Sequence, residues 1–234
     1  MYKELEKQYE LLSLEEKNLL LIYKSRLFDF INRIDLIMNN MQIKNLYNEK
    51  YVEFKRIINL PENSFIKYSI FSNISLKTYD SFLNSIKEIQ EKIINIPKII
   101  IQKNTKVYRA VTVTDLNDIC KISTSNLIST SLDVEVTDSF YTNDGQDILY
   151  QINLHENTPC LIVPYSIKIY ENDGKQVLKV QKNDSQKEII LFKNFLNYEI
   201  TSKQYIEEEN LLIVKIETSY SKNITKWKDI IKKI

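Results

Sequence analysis

The sequence predicts an α+β fold, with N-terminal helices packed on a mixed or antiparallel two-sheet β core. Three observations carry that expectation. The first hundred residues place apolar side chains at helical spacing. From about residue 98 the pattern changes to short β-branched and aromatic runs punctuated by turn signals. Helices and strands do not alternate along the chain, as βαβ units would require.

The elements follow in order. "SLEE" from Ser13 is a capping box, with Ser13 as N-cap and Glu16 reaching back to it. It opens an apolar-periodic run through Leu19, Leu20, Ile22, Tyr23, Leu27, Phe28 and Ile31 that reads as one long helix to about Met41. A second helix covers the forties and fifties and ends before Pro61, because the residue preceding a proline is driven out of the helical region. A third runs through "TYDSFLNSIKEIQEKIINI" and stops ahead of Pro97. Strands are expected at "KVYRAV", "NLISTSL", "ILYQINL", "PCLIVPY", "IKIY", "KQVLKVQ", "EIILF", "YEITSKQYI" and "LLIVKIE". "NDG" at 172–174 is a hairpin turn, and short helices are expected around 114–121 and 134–141. With no repeats and no low-complexity linker, residues 1–234 read as a single domain. It divides into a helical part (1–97), a β-rich core (98–220) and a basic tail (221–234), with the helices packed on the sheets.

Composition excludes several function classes. The chain has 234 residues, 43% of them hydrophobic and 27% charged, and a net charge of +1, so no global charge draws it to nucleic acid or membrane. The N-terminus has no secretory-type apolar run, and no stretch is long and apolar enough to be read as a transmembrane helix. Two glycines, Gly145 and Gly174, leave no room for a dinucleotide-binding G-x-G-x-x-G or a P-loop. One histidine, His155, rules out a zinc H-E-x-x-H pair. It falls on the polar side of the alternating "DILYQINLH", where a surface role is expected. Two cysteines, Cys120 and Cys160, are too few for a disulfide framework and read as reduced, buried thiols.

Three motifs remain, each weak alone. Arg109 lies in "KVYRAV", Ser129, Thr130 and Ser131 form S-T-S in the next strand, and Gln186 and Glu188 form Q-x-E ahead of "IILF". Glu188 can be a solvated strand-end charge, or it can act with Gln186, two residues away and on the same face of an extended chain. The order, spacing and strand context of the three resemble the Arg–Ser–Glu class of mono-ADP-ribosyltransferases. "NLISTSLDVEVTDSFY", "QKEIILF" and "IPKIIIQKNTKVYRAV" resemble the sequences around that family's motifs. "LSLEEKNLLLIYKS" is similar to the first helix of its single-domain, Rho-modifying exoenzymes.

The resemblance implies an ADP-ribosyltransferase-like fold and transfer of ADP-ribose from NAD to a protein, with release of nicotinamide and no metal. Glu188 would be the catalytic carboxylate, oriented by Ser129, and Gln186 would meet the acceptor. Arg109 would bind the NAD phosphates, with Ser129, Thr130 and Ser131 lining the cofactor site. Phe140 and Tyr141 are candidates to stack on nicotinamide, the alternative being core packing. Within the family Gln at the first position of Q-x-E accompanies uncharged acceptors such as Asn, in keeping with an amide that both donates and accepts. Rho-modifying members carry an aromatic residue three positions before that Gln, and the family often has Gly after its Arg. Here those positions hold Asn183 and Ala110, departures that bear on the target protein, for instance a small GTPase.

Two rivals stay open, an NAD glycohydrolase with the same site and a catalytically silent binding module of the same fold. The expected state is a soluble monomer working in a cytosol, that of a host cell if it is delivered as an effector or toxin. In "SKNITKWKDIIKKI", Ile224, Trp227, Ile230, Ile231 and Ile234 recur at helical spacing among lysines. Such a helix packs on its own protein or makes weak contact with an anionic membrane surface through 222–234.

Overall fold

The computed structural model describes residues 2–96, 99–101, 103–113, 127–141, 145–182, 187–193 and 196–220. The helices are α1 (Tyr2–Glu10), α2 (Leu14–Tyr23), α3 (Phe28–Asn39), α4 (Met41–Ile58), α5 (Ser64–Ser69) and α6 (Tyr79–Asn95). The strands are β1 (Ile99–Ile100), β2 (Thr105–Val113), β3 (Leu127–Ser131), β4 (Gln146–Leu154), β5 (Pro159–Ile162), β6 (Tyr165–Asn172), β7 (Lys175–Lys182), β8 (Glu188–Phe192), β9 (Leu196–Ile206) and β10 (Leu211–Tyr220). This is the α+β class, helices first and strands after. The chain divides into two compact units, one of Met1–Leu11, Pro97–Pro164 and Asp184–Ile234, the other of Leu12–Ile96 and Tyr165–Asn183.

The first unit is built on an eight-stranded sheet in the order β1-β5-β8-β3-β2-β4-β10-β9. Between β2 and β3 the pairing shrinks to one residue pair, Tyr108 with Ser131, so the sheet consists of two four-stranded leaves joined at a point. Pairing is antiparallel throughout except for β4 with β10, which run parallel. All five residues of β8, "EIILF", are buried between β3 and β5, the behaviour expected of a continuous apolar run inside a sheet covered on both faces. Helix α1 covers β1 and β5, and the Gln8 side chain accepts from the Ile100 N–H at 3.2 Å.

The second unit gathers α2–α6 around the β6–β7 hairpin. Its core is aromatic: Phe30 meets Tyr47 and Phe82 edge-on at 5.1 Å between centroids, and Phe54 meets Phe71 at 5.5 Å. Asn63 is 1% exposed yet fully used. Its amide nitrogen donates to the carbonyls of Ile57 and Gln176, and its carbonyl oxygen accepts from the Leu178 N–H at 2.8 Å. A buried amide bonded on both ends adds stability where an unpaired one would cost about 1–3 kcal/mol.

The capping box forms as expected, with the Ser13 N–H donating to Glu16 Oε2 at 2.7 Å and the Glu16 N–H to Ser13 Oγ at 3.2 Å. The single long helix expected from Ser13 to Met41 is instead two. Ser25 Oγ donates to the Ile22 carbonyl at 2.6 Å and accepts from the Leu27 N–H at 3.2 Å. A serine hydroxyl that competes for backbone groups ends α2 although the apolar periodicity continues. The turn at 172–174 joins β6 to β7, and residues 135–140 form a 3₁₀ turn. The helix expected at 114–121 and the tail 221–234 lie outside the described residues, as does Cys120. Cys160 is buried. Among the described residues no helix is long and apolar enough to cross a membrane.

Candidate active site

β3 and β8 run antiparallel with Ser131 opposite Glu188 and Ser129 opposite Ile190. Side chains alternate along a strand, so Ser129, Ser131 and Glu188 share one face, and Thr130 lies on the other. The diagonal neighbour of Glu188 on that face is Ser129, whose hydroxyl donates to Glu188 Oε1 in a short hydrogen bond. Glu188 is only 4% exposed. A carboxylate removed from water to that extent needs donors to hold its charge, and Ser129 supplies one.

Arg109, on β2, donates from Nη1 to the Ser129 carbonyl at 2.8 Å. This bond falls where the β2–β3 ladder is only one pair wide, so the guanidinium reinforces the junction between the two leaves. Ser129 is thus held at both ends, its carbonyl by Arg109 and its hydroxyl by Glu188. Arg109 is partly exposed, and its guanidinium carries five N–H donors in a planar fork.

The remaining expected residues have distinct settings. Thr130 is 4% exposed and donates Oγ1 to the Ile189 carbonyl at 2.7 Å. Ser131 Oγ accepts from the Asp133 N–H at 3.0 Å and shapes the turn after β3. Phe140, at the end of the 3₁₀ turn, is half exposed, an unusual state for a phenylalanine. Tyr141 is half-buried and its phenol is pushed up to about 12, first by burial and then by the charges of Asp138, Asp147 and Glu209. Gln186 lies outside the described residues, so the structure brings together Arg109, the S-T-S run and Glu188. His155 is exposed beyond the end of β4.

Sequence reasoning passed over Asp133 and Lys187. The Lys187 ammonium donates to Asp133 Oδ2 at 3.4 Å, and the Leu132 N–H donates to the Lys187 carbonyl at 3.3 Å. Lys187 also has φ 39, in the left-handed region. A lysine between the two named residues of Q-x-E gives no local signal of that conformation, which glycine or asparagine would have announced.

No protein-family model and no curated protein matches the chain. Among solved structures it is similar to an ADP-ribosyltransferase from Clostridium botulinum, at 13% identity and a TM-score of 0.48 over 92% of each chain. It is similar to the C3 exoenzyme of Clostridium limosum at 14% identity and a TM-score of 0.44, covering 94% of this chain and 95% of that one. With exoenzyme S from Pseudomonas aeruginosa, crystallised with human 14-3-3 protein beta and carba-NAD, the identity is 15% and the TM-score 0.39. That match spans 59% of each chain. Similarities of this size assign no activity and no residue role.

Proposed function

We propose that the chain is an NAD-dependent mono-ADP-ribosyltransferase acting on a protein side chain. The observation that carries this reading is the Arg109–Ser129–Glu188 chain of hydrogen bonds, which links three motifs from three strands. Breaking the bond between C1′ of the nicotinamide ribose and the ring nitrogen sends the bonding pair out with neutral nicotinamide. The ribose is left with oxocarbenium character, as in glycoside cleavage. Glu188 faces that developing positive charge and accepts from the ribose 2′-hydroxyl. The attraction is stronger in the transition state than in the ground state, so it accelerates the reaction. Ser129 fixes the carboxylate, and the planar, permanently charged guanidinium of Arg109 takes the diphosphate.

The acceptor nitrogen then bonds to C1′ and releases its proton to solvent. Gln186 offers an amide to a carboxamide acceptor, which favours Asn in a target protein, a small GTPase among the candidates. Phe140, half exposed beside β2, is suited to stack on nicotinamide. A monomer comprising one ADP-ribosyltransferase-like domain, working in a cytosol and in that of a host cell after delivery, goes with this reading.

The test is incubation of wild type and Glu188→Gln with NAD labelled in the adenylate moiety, with and without a eukaryotic lysate, following nicotinamide and protein label together. Transfer predicts a labelled band that the variant does not give. Nicotinamide release that never labels protein identifies a glycohydrolase. If neither protein consumes or binds NAD, the site is not an NAD site.

A further inference from the structure

Asp133 stands where three ties meet. Its N–H donates to Ser131 Oγ at 3.0 Å, its Oδ1 accepts from the Glu135 N–H at 3.2 Å, and its Oδ2 accepts from Lys187 Nζ at 3.4 Å. The Leu132 N–H closes the ring onto the Lys187 carbonyl at 3.3 Å. These contacts lie immediately beyond Ser131–Glu188, the last pair of the β3–β8 ladder. Asp133 therefore touches both segments that deliver side chains to the site: the 3₁₀ turn ending in Phe140, and the residue preceding Glu188.

Lys187 holds a left-handed backbone at φ 39. A non-glycine residue pays for that conformation in strain, and it persists only where the surroundings fix it. The Lys187 and Asp133 side chains are 45% and 30% exposed, and an ion pair so exposed contributes little to global stability. What it does set is direction, because the backbone of residue 187 determines where the next side chain leaves the strand.

Resting on the transferase reading, we infer that Lys187 and Asp133 are positioning residues. Their clasp aims the Glu188 carboxylate at Ser129 and keeps the Phe140 turn in register with it. A carboxylate displaced by a fraction of an ångström loses transition-state contact while NAD still binds through Arg109. Opening the clasp then lowers kcat about tenfold and leaves KM for NAD within about twofold.

The experiment compares Lys187→Met, Asp133→Asn and Lys187→Arg with wild type, measuring kcat and KM for NAD turnover and the exchange rate of the Leu132 amide. Asp133→Asn keeps an oxygen for the Glu135 N–H and puts an amide NH2, a donor, where Oδ2 accepts from Lys187. The expected result is lower kcat and faster Leu132 exchange in the Met and Asn variants, with unchanged thermal midpoints. Lys187→Arg retains both wild-type values. Unchanged kcat in the Met and Asn variants overturns the inference whatever the exchange shows, and so does a loss that Arg does not rescue. If wild type turns over NAD no faster than Glu188→Gln, the transferase reading fails instead. Leu132 exchange then decides the clasp alone, unaltered exchange ruling it out.

Discussion

Ser129 and Glu188, 59 residues apart in sequence, meet through a hydroxyl-to-carboxylate hydrogen bond on one face of the β3–β8 ladder. A buried carboxylate with a fixed donor is poised to meet positive charge, and it gains nothing structural that an amide would not supply. Glu188→Gln is therefore expected to lower NAD turnover at least about a hundredfold, the scale of losing one preorganised electrostatic group. Its thermal midpoint should stay level or rise, because a neutral side chain is easier to bury. Ser129→Ala should cost about tenfold or more in kcat, since the carboxylate stays but loses the Ser129 donor. Paired kinetics and melting curves check both, and a Gln variant that is unfolded would not count as support.

On the proposed transferase reading, Arg109 serves both the Ser129 carbonyl and the NAD phosphates, and one substitution separates the two. Lys can keep a charge but not the planar fork that serves Ser129 and a phosphate together. Arg109→Lys is expected to raise KM for NAD about tenfold, about 1.4 kcal/mol of lost binding. Isothermal titration of NAD into the two proteins reads the difference directly. Equal affinities would remove the phosphate-binding role.

Thr130 distinguishes a strand residue from a ligand residue. Its hydroxyl donates to the Ile189 carbonyl on the face opposite that of Ser129 and Glu188. Thr130→Val keeps the shape and removes that bond, at an expected cost of about 1–2 kcal/mol to unfolding. KM for NAD should be unchanged. Urea midpoints together with NAD affinity check it, and weakened NAD binding at full stability would make Thr130 a ligand residue.

Apart from the two-residue β1, the strands were readable in the sequence, and β8 shows why: "EIILF" is apolar at four of its five positions and is buried at all five. Arg109, Ser129 and Glu188 were readable only as motifs, since nothing local says that three separate strands converge. The break at Ser25 was hidden because helical periodicity counts apolar side chains and ignores a hydroxyl that captures the Ile22 carbonyl. Lys187 was hidden for a related reason. Its left-handed backbone is imposed by contacts with Leu132 and Asp133, far away in sequence, and by no propensity of its own.

Tyrosines make the fold sensitive to alkali. Burial pushes the phenols of Tyr79 and Tyr141 up to about 12, with help from Asp80 for the first and from Asp138, Asp147 and Glu209 for the second. In the unfolded chain they titrate near the ordinary value of about 10. Between those limits the unfolded state releases protons that the folded state retains, so stability is intact below about pH 10 and falls as pH rises toward about 12. Urea midpoints from pH 9 to 11.5 should decline, and Tyr141→Phe should flatten part of the decline. Phenolate absorbance in native protein should lag that of unfolded protein over the same window.

The two glycines cost different things to replace, and the difference is measurable. Gly174 has φ +73 beside Asp173 at φ 51, the pair of left-handed residues that closes the β6–β7 hairpin. An added Cβ there meets nothing within 4 Å, so the whole cost of Gly174→Ala is backbone conformation, about 1–2 kcal/mol. Gly174→Asn should recover part of it, because asparagine tolerates the left-handed region. At Gly145 the position is reversed. A Cβ would lie 2.4 Å from the Val113 carbonyl oxygen, a backbone atom that moves only if the end of β2 moves with it. Gly145→Ala should therefore destabilise more than Gly174→Ala, and Gly145→Asn should be worse still where Gly174→Asn is milder. Urea unfolding of the four variants checks the crossing, and a Gly174→Asn variant less stable than Gly174→Ala would mean that steric space and not backbone angle governs the turn.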